Sequence, residues 1–316
     1  MDNIEKFWLV RASFTRDHSM MNWNERIKER SISTASTYSP IASEALAIGG
    51  AHIPRLGFGT YGMSGSRLQE ILVSALHHGF RHIDTAQMYQ NETDVGAAIR
   101  ASGIPRQDIF VTTKVWVGNY PAERFAASVD QSLVNLQSDH IDLLLVHWPP
   151  GSVSIAEQIE GLNRSVDAGK VRHIGVSNFN AEMMQSAMNL SRHPIVTNQV
   201  EYHPLLDQSV LLKTVDANNT SLMAYCGMAV ERVFKSPVPH EIAMRNKRTI
   251  AQVVLRWLIQ QSHVVALSRT EKLERIADNA RVFDFELSQE DMQAIAMLRR
   301  PGSRIVNLRH LAPAWD

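Results

Sequence analysis

From residue 45 onward, short apolar runs alternate along the chain with longer amphipathic segments. The runs are nearly continuous in apolar residues, which is typical of parallel strands buried on both faces. The predicted strands cover residues 56–59, 80–83, 109–113, 141–146, 171–176, 195–200, 221–225 and 264–267. The segments between them have helical period, for example over 67–78, 122–136, 181–190 and 250–260. Eight successive strand–helix units favour a closed (β/α)8 TIM barrel over an open doubly wound sheet.

Additions are predicted at both ends of this barrel. Residues 45–48 and 52–56, joined by Gly49-Gly50, predict an N-terminal β-hairpin. An additional C-terminal helix is expected to begin at Ser288, because Asp291 follows at the spacing of a capping box. The tail over residues 300–316 contains two prolines and a glycine and is expected to pack as a loop.

Residues 1–44 differ in composition from the rest of the chain. They are polar, rich in Ser and Thr over 31–43, and lack sustained periodicity; a partial helix is predicted around residues 20–30. We therefore divide the chain into an N-terminal extension, 1–44, and a barrel domain, 45–316. The role of the extension is not readable from its residues.

Composition narrows the range of partners. The 32 basic and 32 acidic residues cancel, which removes the electrostatic argument for nucleic acid or an anionic membrane as a partner. The single cysteine, Cys226, cannot form an internal disulfide, and no apolar run approaches the ~18–20 residues of a membrane span. We expect a cytoplasmic protein, a monomer or weak homo-oligomer, that acts on a small molecule and holds no metal.

Polar side chains follow the predicted strands at the end where barrel enzymes place their active sites. Any one of them is compatible with an ordinary strand-to-loop transition. Together they combine an acid, an amine, an imidazole, a phenol and several amides at one rim. These residues are Thr60, Tyr61, Asp84, Lys114, His147, Ser177, Asn178, Gln199, Tyr225 and Arg269, with Tyr89 five residues after Asp84.

Four segments make the chain similar to a known family. The sequences at residues 84–92 (DTAQMYQNE), 175–179 (GVSNF), 198–204 (NQVEYHP) and 274–279 (ERIADN) resemble the motifs of the aldo-keto reductases. The resemblance extends over nearly all of residues 45–316. The compact pattern that ends in Pro-Ala-Trp-Asp is most similar to bacterial members grouped with the diketogluconate reductases.

The resemblance implies a catalytic tetrad of Asp84, Tyr89, Lys114 and His147 that reduces an aldehyde or ketone to an alcohol. Hydride transfer to a carbonyl leaves an alkoxide that needs a proton, and a phenol is a reluctant donor because its reference pKa is ~10. We expect the ammonium of Lys114 to lower the pKa of Tyr89, and Asp84 to keep Lys114 charged. His147 would form a hydrogen bond with the substrate oxygen.

The resemblance also implies NADPH as the cofactor, with NADH as a weaker alternative. The matching positions are Gly59 and Thr60 at the first strand, Ser177, Asn178 and Gln199 at the nicotinamide amide, Tyr225 under its ring, Arg269, Thr270 and Arg275 at the 2′-phosphate, and Asp278 and Asn279 at the adenine. Three aromatic positions match walls of the substrate pocket: Tyr61, Trp116 and Trp148.

Some positions depart from the family pattern. Ser268 stands where proline is usual, and Arg269 where lysine is commoner. The segments after Tyr225 and after His147 are short. Short loops predict a more open pocket with weaker selectivity.

Three other interpretations compete. Gly57, Gly59 and Gly62 match the spacing of a Rossmann fingerprint, but the preceding segment is poor material for a central strand. A Schiff-base aldolase would use Lys114, although Asp84 should raise the pKa of that lysine rather than lower it. A non-catalytic NADPH-binding subunit is the third alternative, and the complete tetrad argues against it.

Overall fold

The computed structural model describes residues 44–149 and 153–316, so the helix considered around residues 20–30 lies outside the described residues. The strands of the barrel, with β1 and β2 reserved for the hairpin, are β3 (Leu56–Gly59), β4 (His82–Asp84), β5 (Phe110–Val115), β6 (Ile141–Val146), β7 (Val171–Ser177), β8 (Ile195–Glu201), β9 (Ser221–Tyr225) and β10 (Val264–Ser268). Each pairs in parallel with the next, and β10 closes on β3. The predicted (β/α)8 barrel is confirmed, and a closed barrel leaves no place for the Rossmann interpretation.

The hairpin forms from β1 (Ala45–Ile48) and β2 (Ala51–Pro54). Gly49 and Gly50 both have positive φ angles, 53° and 84°, which a two-residue turn of this kind requires. The predicted second strand of the hairpin, 52–56, extended too far towards the C-terminus. Leu56 instead pairs with Ala266 of β10 and already belongs to the barrel.

Strand β4 is displaced from its predicted position at residues 80–83. The backbone of Phe80 donates to Ala75 O and ends the preceding helix, while its ring packs edge-on against Phe58 at 5.4 Å. The strand begins two residues later and includes Asp84, which pairs with Gly59 and Thr112. The apolar run includes residues from the end of the helix as well as from the strand. The predicted strand therefore started too early.

Ten helices are found in the described ranges: α1 (Gly65–His77), α2 (Glu92–Ala101), α3 (Ala122–Leu136), α4 (Ile155–Asp167), α5 (Ala181–Leu190), α6 (Ser209–Ala217), α7 (Pro237–Asn246), α8 (Ile250–Ile259), α9 (Leu273–Ala280) and α10 (Gln289–Ala296). Short 3₁₀ helices include Gln87–Tyr89 and Val117–Asn119. The predicted bounds of α3 and α5 are confirmed to the residue.

Side-chain caps explain where several helices start. Full capping boxes begin α4, with Ser154 and Glu157, and α8, with Thr249 and Gln252. At α10, Ser288 accepts from Asp291 N as predicted. The carboxylate of Asp291 accepts from Arg245 of α7, so this cap also ties two helices together.

The hairpin lies at the amino-terminal end of the barrel. Its apolar residues join the side chains inside the barrel in one buried cluster, made of Leu46, Ile48, Ala51, Ile53, Leu143, Leu145, Val196, Met223, Val265 and Leu267. Gly49 approaches Pro194 and Val196 at the start of β8. The hairpin thus packs under the barrel, and the polar side chains collect at the opposite, carboxyl end.

The space around two glycines gives a test of interior packing. A Cβ at Gly175 of β7 would stand 2.7 Å from Thr197 O and 2.8 Å from Leu145 Cδ2, whereas at Gly59 the nearest atom is Ser268 O at 3.9 Å. Gly175→Ala should lower the free energy of unfolding by about 1–3 kcal/mol through overpacking. Gly59→Ala is the matched control and should be as stable as the wild type in urea titrations followed by circular dichroism. Equal stability of the two variants would contradict this packing.

Candidate active site

The four predicted catalytic residues meet at the carboxyl end of the barrel. Asp84 is the last residue of β4, and Lys114 is the penultimate residue of β5. His147 directly follows β6, and Tyr89 lies on the short 3₁₀ helix after β4. Two of the four therefore sit on strands and two on the segments that follow strands.

A buried ion pair forms the centre of the site. Lys114 Nζ donates to Asp84 Oδ1 at 2.7 Å and to Thr85 O at 2.8 Å, and it lies 3.5 Å from the hydroxyl of Tyr89. The side chain of Lys114 is fully buried and that of Asp84 nearly so. Three acceptors thus surround the three donors of the ammonium group.

Burial shifts the pKa of Lys114 more than its ion-pair partner Asp84 does. The pKa of Lys114 is lowered because desolvation outweighs the opposing effect of Asp84. Asp84 does raise the pKa of Lys114, as the argument against a Schiff-base aldolase assumed, but the net shift is downward, so that argument alone does not exclude an aldolase. A better argument replaces it: Nζ is inaccessible and directed at three acceptors, which leaves no room for a substrate carbonyl to reach it.

The expectation of a lowered pKa at Tyr89 was wrong. Burial, followed by Asp84 and the neighbouring tyrosines Tyr225 and Tyr61, raises the pKa of Tyr89 well above its ordinary value. The phenol is accordingly protonated at neutral pH. The sequence reasoning weighed the nearby ammonium but could not weigh the loss of solvent around the ring.

His147 is a neutral imidazole in this site. Burial, and secondarily the charge of Lys114, lowers its pKa well below 6.5. Its Nδ1 is buried without a hydrogen-bond partner among the described residues. A buried N–H without an acceptor is rarer than a lone pair without a donor, so we infer that the proton resides on Nε2.

Aromatic rings surround the tetrad. The ring of Tyr89 meets Tyr61 edge-on at 5.0 Å and His147 at 5.7 Å, and Trp116 meets His147 at 5.3 Å. Tyr61 is 43% exposed, so its ring has a free face at the rim. The structure thus brings two of the three predicted pocket aromatics, Tyr61 and Trp116, against the tetrad.

The third aromatic, Trp148, lies differently. It is only 3% exposed, its carbonyl accepts from the hydroxyl of Tyr120 at 2.8 Å, and its ring is met by Trp315 at 6.4 Å. Trp315 belongs to the tail that sequence analysis treated as an ordinary loop. No local signal in the sequence links residues so far apart, and only the fold brings them together.

Two anchors hold this tail beside the site. The buried carboxylate of Glu201 accepts from the backbone N–H groups of Ile305 and Val306 at 2.8 and 2.7 Å. At the far end, the side chain of Asp316 accepts from Ala181 N at 3.0 Å, at the start of α5. A glutamate in a family motif, Glu201, therefore fixes the tail, a role that the motif alone did not reveal.

The residues predicted at the nicotinamide amide lie together across β7, β8 and β9. Asn178 adopts a left-handed φ of 63°, which asparagine tolerates better than most residues. Its Nδ2 donates to His147 O at 3.0 Å, and its Oδ1 accepts from the Tyr225 hydroxyl at 2.7 Å. Ser177 donates to Gln199 O at 2.8 Å. This network fixes the orientation of the Tyr225 ring.

Gln199 connects this group to the tetrad. Its Nε2 donates to Asp84 Oδ2 at 2.6 Å, while Oδ1 of the same carboxylate takes Lys114. The hydroxyl and N–H of Thr60 both donate to the carbonyl of Asp84 at 3.0 Å. Thr60 therefore secures β3 to β4, and a Cβ added at Gly59 before it would meet only ordinary contacts, the nearest being Ser268 O at 3.9 Å.

The residues predicted at the 2′-phosphate and adenine follow β10. Arg269 donates to Tyr61 O at 2.8 Å and forms an ion pair with Glu271 at 2.6 Å. Arg275, in the first turn of α9, is exposed and forms no ion pair with the described residues. The basic residue Arg67 reaches the same loop by donating to Glu271 O at 2.6 Å, and sequence analysis did not single it out.

The remaining positions of this group differ in exposure. Thr270 is buried and accepts from Lys272 N, and Asp278 is exposed. Asn279 is buried and donates to the Ser268 hydroxyl at 3.0 Å. The serine that stands where proline is usual in the family thus holds a predicted adenine residue in place.

The chain matches the profile of the Aldo/keto reductase family over residues 45–232 and 235–300. It therefore belongs to this family, and it is an oxidoreductase that acts on the carbonyl groups of small molecules with a nicotinamide cofactor.

Individual members of the family show which group within it this chain resembles. It is 36% identical over 267 residues to methylglyoxal reductase DkgB of Salmonella typhi, which covers 84% of this chain and 99% of that protein. It is 36% identical over 252 residues to glyoxal reductase of Bacillus subtilis, covering 79% and 91%. A crystal structure assigned to a 2,5-diketo-D-gluconic acid reductase B is 53% identical, with a TM-score of 0.85, and covers 86% of this chain and 97% of that one. The resemblance to the diketogluconate-reductase group is confirmed.

None of the helices in the described part of the chain has the length and apolarity that a membrane span requires.

The buried ion pair yields a stability prediction. Asp84→Asn removes the countercharge of a fully buried ammonium and should lower the free energy of unfolding by about 3–5 kcal/mol. Because burial lowers the pKa of Lys114, the charged form is the one that the fold disfavours, so the deficit should shrink as pH rises and grow as it falls. The measurement is urea unfolding at several pH values.

The double variant Asp84→Asn/Lys114→Met is the control, since it removes both charges and keeps the packing volume. It should recover most of the lost stability. If the single and double variants are equally unstable at every pH, the uncompensated charge is not the cause.

Proposed function

We propose that this protein catalyses the NADPH-dependent reduction of an aldehyde or ketone to an alcohol, with Tyr89 as the proton donor. One observation carries the proposal: the hydroxyl of Tyr89 lies 3.5 Å from Lys114 Nζ, and its ring stands edge-on to the neutral imidazole of His147. An acid, a charge that stabilises its conjugate base, and a hydrogen-bond donor are thus assembled at one point of the rim.

The protonation states suit reduction. Tyr89 is protonated at neutral pH because burial raises its pKa, so it holds the proton that the developing alkoxide needs. As the proton leaves, the negative charge on the phenolate oxygen is stabilised by the ammonium of Lys114, which Asp84 holds in place. His147 Nε2, a donor in the neutral ring, orients the substrate oxygen towards Tyr89.

The residues of this chain fit the cofactor. Gly59 is not demanded by packing, because an added Cβ would meet nothing nearer than 3.9 Å, and its absence leaves room for a ligand at the strand end. Ser177, Asn178, Gln199 and Tyr225 would hold the nicotinamide, and Arg269 and Arg275 the 2′-phosphate. When bound, NADPH supplies the hydride. Arginine suits a phosphate dianion because its planar donors pair with two oxygens at once.

The ion pair between Arg269 and Glu271 limits how freely Arg269 can bind a phosphate. Its guanidinium already pairs with Glu271, so it must share or exchange that partner when it contacts a phosphate. Arg275 has no such competitor among the described residues. We therefore infer that Arg275 contributes most of the preference for NADPH over NADH.

Small dicarbonyls are the first substrates to test. The relatives named for methylglyoxal and glyoxal support this choice, and an aromatic rim with one acid suits compact aldehydes. The cytoplasmic location and the monomeric or weakly oligomeric state stay predictions. A non-catalytic NADPH-binding subunit would have the same fold, and turnover separates it from an enzyme.

The proton donor is tested by Tyr89→Phe. The variant should fold and bind NADPH normally, because the ring keeps its contacts with Tyr61 and His147. General acid catalysis contributes ~10²–10⁴-fold, so turnover should fall by at least that order. NADPH oxidation is followed with methylglyoxal, glyoxal, a keto-sugar and an aromatic aldehyde. A variant that keeps more than about a tenth of the wild-type rate would exclude Tyr89 as the donor.

Cofactor preference is tested by Arg275→Ala. A hydrogen bond to a charged group is worth ~1.5–3 kcal/mol, so NADPH affinity should fall roughly 10- to 150-fold. NADH lacks the phosphate and should be almost unaffected. Fluorescence quenching by both cofactors measures the change, and Arg275→Lys, which keeps the charge without the fork of donors, should give an intermediate loss. Equal losses for both cofactors would mean that Arg275 supports the barrel instead.

A further inference from the structure

The 3₁₀ helix Gln87–Tyr89 carries the proposed proton donor outside any strand. It ends at Gln90, whose φ of 55° is left-handed. A segment this short has few backbone hydrogen bonds of its own, so side-chain contacts must set where Tyr89 lies. Gln87, at the opposite end of the same turn, makes the contacts that can do so.

The side chain of Gln87 reaches the outer face of the barrel. It lines a groove of about 440 Å³ whose other walls come from the start of α2, the 3₁₀ helix Val117–Asn119 and α3. It therefore spans from the turn that bears Tyr89 to helix α3.

Every hydrogen-bonding position of the Gln87 amide has a partner. Its Oε1 accepts from Trp116 N and from Asn119 Nδ2, both at 2.9 Å. Its Nε2 donates to Ser128 O at 3.1 Å and to the Ser132 hydroxyl at 3.2 Å. One amide thus joins the turn before Tyr89, the segment after β5 and two successive turns of α3.

The hydrogen bond from Trp116 N to Gln87 connects the Gln87 amide to the active site. The N–H of Trp116 lies two residues after Lys114, and the ring of Trp116 stands against His147 at 5.3 Å. Gln87 therefore fixes the turn that bears the acid and the backbone that bears a ring of the pocket relative to each other.

We propose that Gln87 is a positioning residue for the reduction, which sets the distance between Tyr89 and the wall formed by Trp116 and His147. This inference rests on the proposed function, in which Tyr89 donates the proton. None of the side-chain hydrogen bonds of Gln87 goes to the tetrad or to the residues assigned to the cofactor, so its effect passes through the segments that its amide joins.

A loss of these bonds should reduce turnover without weakening cofactor binding. A displacement of about 1 Å at a reacting group can cost on the order of 10²-fold in rate. For Gln87→Ala we therefore expect kcat/KM to fall about 10- to 100-fold, mainly in kcat. The Kd for NADPH should remain within about twofold of the wild type, since the cofactor residues lie on other strands.

Gln131→Ala is the matched control. Gln131 lines the same groove on α3, is exposed, and bonds only to Asn135 on its own helix. It should keep wild-type kcat and KM. Both variants are compared by stopped-flow turnover with methylglyoxal, by cofactor titration, and by thermal unfolding, so that a general loss of stability is separated from a loss of rate.

Gln87→Glu provides a readout that a purely structural role would not give. The introduced carboxyl keeps the acceptor for Trp116 N and Asn119, but when ionised it faces the carbonyl of Ser128 without a proton to donate. When protonated it regains that donor. The charged groups that share the groove are Glu92, Glu123 and Arg124, and two of these three favour the protonated form.

The activity of Gln87→Glu, relative to wild type in the same buffer, should therefore rise as the pH is lowered from about 8 towards about 5. Gln131→Glu and Gln87→Ala should show no such recovery. If Gln87→Ala does not fold, Gln87→Glu carries the test alone.

The outcomes separate this inference from the function on which it rests. Normal kcat in Gln87→Ala, or a Gln87→Glu profile parallel to wild type, together with an inactive Tyr89→Phe, would overturn the positioning role and leave the reductase intact. An active Tyr89→Phe would overturn the proposed function first. A fall in kcat with unchanged NADPH affinity and the acid recovery of Gln87→Glu would support the role.

Discussion

The site depends on one buried ion pair at the end of two adjacent strands. Withdrawing two charges from water is costly, and apolar residues of similar volume often replace such a pair without loss of stability. Asp84 is compensated because its oxygens also accept from Gln199 and its carbonyl from Thr60, which ties β3, β4, β5 and β8 together at their carboxyl ends. We therefore attribute the pair to the proposed chemistry rather than to stability. The surrounding hydrogen bonds offset the free-energy cost of burying its two charges.

The same burial decides where the protons reside. With a solvated rim, Lys114 would favour a phenolate at Tyr89. In this structure desolvation raises the pKa of Tyr89 and lowers those of Lys114 and His147, and for the lysine Asp84 and Glu92 oppose the shift. The proposed donor Tyr89 therefore carries its proton before the substrate arrives, as reduction requires. Oxidation of an alcohol would need the opposite state of the tyrosine.

Most of the fold was predictable because its signals are local. Buried parallel strands such as β6 read as continuous apolar runs, and α3 and α5 have bounds that periodicity locates to the residue. Prediction failed where one apolar run served two elements, at Phe80, and where contacts join distant residues, as between Trp148 and Trp315. It also failed on the direction of the pKa shift at Tyr89, because the effect of burial depends on the full packing around a ring. The place of these polar residues at one rim was predictable because they follow strands that the topology brings together, whereas their grouping as a tetrad came from the family resemblance.

The division of the tetrad between strands and connecting segments has a consequence for how the enzyme can vary. Asp84 and Lys114 are fixed by paired backbone in β4 and β5, so substitutions on the outer helices hardly move them. Tyr89 and His147 lie beyond their strands, and their positions follow from side-chain contacts made by Asn178 and by the aromatic rings around them. Rate and substrate choice should therefore respond to changes in the segments after the strands and in the tail that carries Trp315, whereas the charge centre should not. A family built on this barrel can thus change its substrates while the Asp84–Lys114 ion pair stays in place.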